Sequence, residues 1–386
     1  MKKQKICIIG GSLTGLVTAI AISKLNCDID LICDRNKPSV NLNGTIAISE
    51  NNLKFLNKLN ISKSLKTKMW PSSEMKLYAE VKNNKMPKIF EINKNNDYKK
   101  IFYLVENSKF IKLMNKKIKK IKSISIKKNE TITEINNANS LKIIKLKNKT
   151  IKYNLIIICT GANSGLVKKM FNNDVIKYSY KESSITTILN HSPLKNFTAR
   201  QFFLEEGIFA LLPISNTKTS IVWSIKKFIK MNNSHIKNKI KFYAGKYLKK
   251  INFPSSIRHR DLNFLIRNKY YKERILLFGD ALHQIHPFVG QGFNMTIRDL
   301  ICLQNILKNK IALGLDIGSN DILHEFTKQT KSRNFVLSVG SDLIKNSFSV
   351  NNIYFKKMRN NVIKNLNKKK LVKDIFFEVA NKGLKF

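Results

Sequence analysis

The first 34 residues contain the feature that most limits how this chain can fold. An apolar run at Ile6–Ile9 leads directly into a glycine turn, Gly10–Gly15 (GGSLTG), and helix-forming residues follow at Leu16–Leu25. A second apolar run, Ile29–Cys33, ends at Asp34. Short runs of this kind are typical of parallel strands that are buried on both faces. The order predicts a strand–helix–strand unit, and therefore an α/β fold built on a parallel sheet.

This unit matches the fingerprint of a dinucleotide-binding turn. Gly10 allows the tight turn, Gly15 allows the helix to pack closely on the strand, and the helix N-terminus faces a pyrophosphate. Ser12 stands where the fingerprint has its second glycine and is small enough for the same role. Asp34, about 20 residues past the turn, is placed to bond a ribose with a free 2′-hydroxyl, as in FAD or NAD. The competing interpretation is a chance glycine-rich turn. The predicted cofactor-binding residues here are Gly10, Ser12, Leu13, Thr14, Gly15, Asp34 and Arg35.

A second motif lies far downstream, where residues 274–299 read RILLFGDALHQIHPFVGQGFNMTIRD. Arg274–Phe278 is predicted to be a buried strand and Gln291–Leu307 a helix. The stretch resembles the signature GDAAHxxHPxxGQGxNxxxRD of the FAD-dependent aromatic hydroxylases of the p-hydroxybenzoate hydroxylase type. It is most similar to their ubiquinone-biosynthesis branch. Leu282 departs from the small residue usual in that signature.

The resemblance implies roles for the residues of this second motif. The residue matching Asp280 bonds the ribityl chain of FAD, the one matching Pro287 lies beside the flavin ring, and the loop matching Gly290–Gly292 approaches its pyrimidine end. A helix N-terminus there would stabilise the negative charge of reduced flavin. The implied flavin-ring environment, with no acid or base assigned, is Pro287, Gly290, Gln291 and Gly292. The implied cofactor-binding residues are Gly279, Asp280, Pro287, Gly290, Gly292, Phe293 and Asn294.

Two histidines in this motif have competing interpretations. Asp280, His283 and His286 are spaced by three, as metal ligands on a helix would be. They precede Pro287 and the helix, however, so they need not share a face, and no metal is expected. The alternative is that both histidines pack the loop.

The resemblance extends over nearly the whole chain. Its weaker segments are Phe102–Asn107 (family GYxVEN), Asn154–Ser164 (ADGxxS), Phe203–Trp223 (substrate-domain strands) and Leu315–Ser319 (GxDIGS). Two departures bear on cofactor binding. The family's ADG is replaced by Cys159-Thr160-Gly161, and an Arg usual near Gly44 is absent. Both losses would weaken FAD binding, so a non-catalytic homologue remains an alternative.

The predicted fold class is mixed α/β. It has a Rossmann-like FAD-binding domain with a parallel sheet and a β-meander, a smaller and mostly antiparallel substrate domain, and a helical C-terminal tail. The predicted FAD-binding domain comprises residues 1–72, 98–176 and 263–330, the substrate domain residues 73–97 and 177–262, and the tail residues 331–386. The meander is predicted at Ile118–Ile126, Thr131–Asn136 and Leu141–Leu146.

As the resemblance implies it, the enzyme is an FAD-dependent monooxygenase that hydroxylates the aromatic ring of a polyprenylated phenol in ubiquinone biosynthesis. Reduced FAD would react with O2, the co-substrate, to give a flavin C4a-hydroperoxide, with NAD(P)H or another donor supplying electrons. The alternatives are an isoprenoid reductase or epoxidase, a non-catalytic scaffold in a biosynthetic complex, and a tRNA-modifying flavoprotein.

Charge and cysteine content suggest where the protein works. The chain has 386 residues and a formal charge of +46, but only nine of its 71 Lys+Arg residues are arginine. Lys, Asn and Ile share AT-rich codons, so most of the charge is interpreted as codon bias, and a nucleic-acid partner is not expected. The lysine-rich segment Lys356–Lys370 is a candidate contact with an anionic membrane. Five cysteines without a CxxC pair favour a reducing compartment, so we expect a cytoplasmic protein, peripheral on the inner membrane face.

Overall fold

The computed structural model describes residues 3–33, 44–61, 68–81, 85–93, 100–147, 149–171, 175–229, 231–287 and 290–384. Its strands are β1 Gln4–Ile9, β2 Cys27–Cys33, β3 Thr45–Ser49, β4 Trp70–Ser72, β5 Glu74–Ala79, β6 Lys88–Asn93, β7 Phe102–Glu106, β8 Ile124–Lys128, β9 Ile132–Ala138, β10 Leu141–Leu146, β11 Lys149–Tyr153, β12 Leu155–Ile158, β13 Val175–Asn190, β14 Thr198–Leu204, β15 Gly207–Pro213, β16 Lys218–Lys226, β17 Arg258–Arg267, β18 Tyr271–Lys272, β19 Ile275–Leu277 and β20 His283–Gln284. Its helices are α1 Leu13–Ile22, α2 Glu50–Lys58, α3 Asn107–Ile118, α4 Gly165–Met170, α5 Asn233–Ala244, α6 Gln291–Ala312, α7 Asn320–Ser349, α8 Ile353–Lys368 and α9 Lys370–Lys382.

The main sheet has the strand order β18-β19-β12-β1-β2-β8. Its strands run parallel except β18, which pairs antiparallel with β19 at one edge. Ile8 lies at the centre, paired with Leu31 on one side and Ile157 on the other, and all three are fully buried. This burial on both faces explains why the strands are continuous apolar runs. The predicted α/β class and parallel sheet are confirmed.

The β-meander is confirmed for two of its predicted segments and wrong for the third. It consists of β9, β10 and β11 in antiparallel order. The predicted segment Ile118–Ile126 instead ends helix α3 and begins β8, which runs parallel to β2 at the edge of the main sheet. Alternating residues show that a strand has one buried face, but they do not identify its partner.

The second large sheet has the strand order β20-β17-β13-β16-β15-β14-β5-β6 and is antiparallel except between β14 and β5. One face packs against helix α5 through an apolar cluster that includes Trp223 and Phe209. The opposite face carries Ala199 and Leu212, which pack with Ala47 of β3 and Phe377 of α9. The second sheet therefore lies between α5 and the parts of the chain that surround the glycine motifs.

The segment β20 joins the two large sheets. It follows β19 of the main sheet after a 3₁₀ turn, Gly279–Ala281, and pairs antiparallel with β17, opposite Leu265 and Ile266. Strand β17 ends at Arg267, so it continues past the expected boundary at residue 262. The division into domains stays a prediction, but the second motif clearly belongs to both sheets.

The C-terminal helices are held on the second sheet by a stack of three side chains. The Arg359 guanidinium lies 4.0 Å from the centre of the Phe348 ring, and that ring stacks on Phe203 of β14. Arg359 also donates to the Ser347 carbonyl oxygen at 2.9 Å. Within the described residues, no helix is long and apolar enough to cross a lipid bilayer.

Candidate functional site: two glycine motifs that meet

The first glycine motif makes a closely packed turn between β1 and α1. The Gly10 amide donates to the Ile32 carbonyl oxygen at 2.9 Å, which ties the turn to β2. A Cβ on Gly15 would lie 1.9 Å from the Gly10 carbonyl oxygen, closer than any side chain tolerates. Glycine at position 15 is therefore required by the approach of helix to turn, as the fingerprint predicts.

The N-terminus of α1 is open to a ligand. Ser12 is the residue before the helix, yet its side chain accepts no bond from the helix amides, and its hydroxyl points instead to the Cys159 carbonyl oxygen at 3.4 Å. The first turn contains no acidic side chain. Leu13 and Thr14 begin the helix, so their amides belong to the uncapped end, where an anion binds well. The arrangement fits a pyrophosphate. Asp34 and Arg35 lie outside the described residues.

The two glycine motifs are in contact. Gly279 lies against Thr14, because a Cβ on Gly279 would be 2.6 Å from the Thr14 Cγ2 atom. Asp280 is half exposed beside it, and its only nearby ion-pair partner among the described residues is Arg260 at 3.7 Å. The carboxylate is thus available for a polar ligand, as its predicted role requires.

The N-terminus of α6 is also uncapped. Gly290 precedes it with φ of +65°, a left-handed conformation that favours glycine, and no side chain caps the helix. Gly292, in the first turn, faces open space, since a Cβ there would meet no atom within 4 Å. Pro287 lies just before this turn. Open space beside an uncapped helix end fits the ring of a flavin, whose reduced form carries negative charge.

Other predicted residues of this helix turn their side chains into the protein. Asn294 uses both ends of its amide, donating to the Ala47 and Gly290 carbonyl oxygens and accepting from the Ser49 amide and Asn52. Gln291 bonds Arg298 and a carbonyl of α9, and Phe293 packs edge-on against Phe110. Their side chains fix α6 against β3, α3 and α9. They can therefore act on a cofactor only by positioning the start of α6.

Both departures from the family pattern lie among the described residues. Cys159 stands where ADG begins, and burial raises the pKa of its thiol to about 12, so it carries no charge. Gly161 faces open space. Gly44 accepts a bond from the Asn107 amide at 2.8 Å, which joins the segment that lacks the usual Arg to the VEN segment.

Sequence reasoning did not find two buried carboxylates that hold the motif's histidines. His283 lies 3.0 Å from Asp299, and His286 lies 3.0 Å from Glu182 of β13. Glu182 also binds Lys345 of α7 at 2.8 Å. The sequence shows an acid inside a strand-forming run and a lysine inside a helical run. Neither feature identifies the residue that the side chain contacts.

The chain matches known families and structures along its length. A family described as "FAD binding domain" matches residues 3–331. The "Ubiquinone biosynthesis monooxygenase COQ6, mitochondrial" of Danio rerio is 27% identical over 248 residues, covering 53% of this chain and 50% of that protein. The "Ubiquinone hydroxylase UbiL" of Rhodospirillum rubrum is 25% identical over 206 residues, covering 52% and 48%. The chain thus spans about half the length of these curated relatives.

Solved structures share the fold. The p-nitrophenol 4-monooxygenase PnpA of Pseudomonas putida superposes with a TM-score of 0.79 at 12% identity, covering 99% of each chain. HpxO of Klebsiella pneumoniae, complexed with FAD and uric acid, gives a TM-score of 0.77 at 13% identity, covering 98% of this chain and 96% of that one. The family match takes in both glycine motifs, and the open helix ends fit the cofactor that gives the family its name. The chain is therefore a member of the FAD-binding-domain family of flavoproteins and is similar to its ubiquinone-biosynthesis monooxygenases.

Proposed function

We propose that this protein is an FAD-dependent monooxygenase that hydroxylates the ring of a polyprenylated phenol in ubiquinone biosynthesis. The observation that carries the proposal is the contact between Gly279 and Thr14, which brings the Asp280 carboxylate beside the uncapped start of α1. The uncapped start of α6 follows in the same motif. The similarity to a ubiquinone-biosynthesis monooxygenase and to a ubiquinone hydroxylase supports the reaction and the substrate class.

Each part of the site has a distinct task in this proposal. The amides at the start of α1 bind the pyrophosphate, and Asp280 binds the ribityl chain. The N-terminus of α6 stabilises negative charge beside the open space at Gly292. Bound FAD supplies the transfer of two electrons from a nicotinamide donor and the activation of O2. The second sheet packs Ala199 and Leu212 with Ala47 of β3. Such apolar side chains exclude water and suit an isoprenoid substrate.

The test is product analysis with purified protein. We expect it to retain FAD, and to convert a short-chain prenylated phenol, NAD(P)H and O2 into a product heavier by one oxygen atom, with 18O2 labelling it. A reduced or epoxidised isoprenoid chain would favour the reductase or epoxidase instead. Retained flavin that no donor reduces would favour a scaffold.

A matched pair of glycine variants tests where the flavin lies. Gly292 and Gly340 are both helical, and a Cβ on either would meet no atom within 4 Å, so a side chain can be introduced at both positions. We expect Gly292→Leu to fold and to lose FAD, because leucine fills the space at the α6 N-terminus. Gly340→Leu should retain FAD. Equal flavin content in the two variants, measured by absorbance after gel filtration, would contradict the assignment.

We also propose that the C-terminal helices attach the protein to the cytoplasmic face of an anionic membrane. Here we define the tail surface as a row of exposed apolar side chains on α8 and α9, whose exposed fractions run from 52% to 79%. Its members are Tyr354, Met358, Val362, Leu371 and Ile375. The first three recur every four residues on one side of α8, and lysines flank them. An apolar stripe flanked by lysines is what an interfacial helix presents to lipid headgroups.

Vesicle flotation tests the tail surface. We expect binding to vesicles containing phosphatidylglycerol, weaker binding to pure phosphatidylcholine, and loss of binding when Tyr354, Met358 and Val362 are changed to serine. Binding that does not depend on these three residues would contradict the proposal. Protein that ignores all vesicles but co-purifies with other biosynthetic enzymes would assign the surface to a complex.

A further inference from the structure

The buried ring of His286 has one nitrogen in use and one that is free. Its Nε2 atom lies 3.0 Å from Glu182 Oε2, and the other carboxylate oxygen binds Lys345 at 2.8 Å. Burial alone would raise the pKa of Glu182, but bonds from His286 and Lys345 hold that pKa below its ordinary value. The carboxylate is therefore ionised, and it holds a ring hydrogen on Nε2.

The second ring nitrogen is Nδ1. In an imidazole whose single hydrogen lies on Nε2, Nδ1 carries a lone pair and can accept a proton. It is buried and has no hydrogen-bond partner among the described residues, while the side chain as a whole is 1% exposed. A buried polar atom without a partner costs about 1–3 kcal/mol. A ligand that donates a hydrogen bond to Nδ1 would relieve this cost.

The position of the ring points to a ligand of the proposed site. His286 follows β20 and directly precedes Pro287 and the open N-terminus of α6. Its ring packs edge to face against Tyr180, with centroids 5.2 Å apart. The Lys345 Nζ atom lies over the Tyr180 ring, 4.8 Å from its centroid. The titratable groups around it are Glu182 and Tyr180 from β13 and Lys345 from α7. Asp342, also on α7, adjoins Tyr180.

We propose that His286 Nδ1 is a catalytic base that takes the hydroxyl proton of the phenolic substrate. The inference rests on the function proposed above. The phenol O–H bond breaks, its electron pair stays on oxygen, and a new N–H bond forms at Nδ1. The resulting phenolate is richer in electrons at the ring, which favours attack on an electrophilic oxygen atom.

The charges of the network suit this transfer. Before it, Glu182 and Lys345 cancel and the imidazole is neutral. After it, the imidazolium lies between the phenolate and the Glu182 carboxylate, and the four groups again sum to zero. A carboxylate on the far nitrogen both orients the ring and stabilises its protonated form, as in other carboxylate–histidine pairs that act as bases. Without such a partner, a buried imidazolium would be costly.

The probe is 2-geranyl-4-nitrophenol, whose phenolate is yellow, titrated on the FAD-loaded protein. We expect wild type to lower the pH midpoint of its ionisation on binding by about one pH unit. His286→Gln keeps an amide near Nε2 to bond Glu182 but has no atom in place of Nδ1. It should bind the probe with FAD retained and lose the shift. His283→Gln is the matched control, because His283 has the same carboxylate bond in the same segment.

Three results would overturn the inference. The first is that His286→Gln shifts the ionisation midpoint of the probe as much as wild type does. The second is that His286→Gln and His283→Gln lose this shift equally. The third needs no variant: in wild type labelled with 15N-histidine, the Nδ1 signal of His286 should change from unprotonated to protonated when the probe binds, and an unchanged signal contradicts the proposal. Wild-type protein that binds neither FAD nor the probe would refute the proposed function itself, which separates the two failures.

Discussion

Two carboxylate–histidine pairs lie in the same motif, and they differ in what surrounds the carboxylate. Asp299 is fully buried and accepts bonds from His283, Arg333 and Asn334, at 3.0, 2.9 and 2.9 Å. Asp299 lies on α6, and its bonds join β20 to α7. Among the described residues, Glu182 accepts from His286 and Lys345 alone, and the Nδ1 atom of its histidine has no partner.

The difference separates a structural pair from a reactive one. A saturated buried carboxylate contributes to the fold, and removing it leaves several groups without a partner. A carboxylate with fewer partners, placed behind a histidine with a free nitrogen, can support a proton transfer. Both pairs join a histidine Nε2 to a carboxylate oxygen at 3.0 Å, so the distinction lies in what else surrounds each carboxylate.

The largest expected effect is loss of stability on changing Asp299 to Asn. The variant leaves Arg333 without its buried countercharge, and we expect the free energy of unfolding to fall by about 3–5 kcal/mol. Urea denaturation measures it. Glu325→Gln is the control, because its ion pair with Lys310 is partly exposed and should be worth about 0–1 kcal/mol. A change under about 1 kcal/mol for Asp299→Asn would contradict the structural role of the Asp299 pair.

The second effect concerns Glu182→Gln, which leaves Lys345 buried without a countercharge. We expect a loss of about 2–4 kcal/mol in the free energy of unfolding. The double variant Glu182→Gln with Lys345→Met should recover at least about 1 kcal/mol of it, because it buries no unpaired charge. If the double variant is less stable than the single one, Lys345 contributes through contacts other than Glu182.

A smaller effect appears in the pH dependence of stability. The pKa of Glu182 is lowered in the folded protein, so its contribution is present above the unfolded pKa and is lost as the pH falls through the folded pKa. Each unit of lowering corresponds to about 1.4 kcal/mol. Wild type should therefore lose stability in acid more steeply than Glu182→Gln. Parallel curves from thermal unfolding between pH 3 and 7, roughly the range of carboxyl titration, would contradict the ionised state of Glu182.

The smallest effect concerns the bulge that precedes Glu182. The pairing of β13 with β17 shifts register between Ser179 and Glu182, and Lys181 there has φ of +54°. Lys181→Gly relieves this left-handed strain and should stabilise the fold by about 0.5–1 kcal/mol, and Lys181→Val should destabilise it. The probe shift should be unchanged in the glycine variant. A changed shift would show that Lys181 does more than shape the strand.

Local patterns predicted the main sheet and both glycine motifs because their causes are local. Apolar runs such as Ile29–Cys33 are buried on both faces, and Gly15 is required by a neighbour five residues away. The segment that contains β8 was wrongly assigned to the meander, because the partner of a strand is not set by its local sequence. Glu182 and Lys345 were not found for the same reason. The contact between Glu182 and His286 spans 104 residues, and Lys345 reaches Glu182 from a separate helix.

The stretch between Leu277 and His283 is bonded at its two ends into different sheets. A surface turn such as the one between β9 and β10 can absorb an extra residue, but this stretch cannot. One residue inserted there would change the register of β20 against β17 and displace His286, or else pull Gly279 from Thr14. For the same reason, we expect the second sheet not to fold when expressed alone. Its edge strand β20 is connected directly to β19 of the main sheet. The length of this segment is therefore constrained as tightly as its residues.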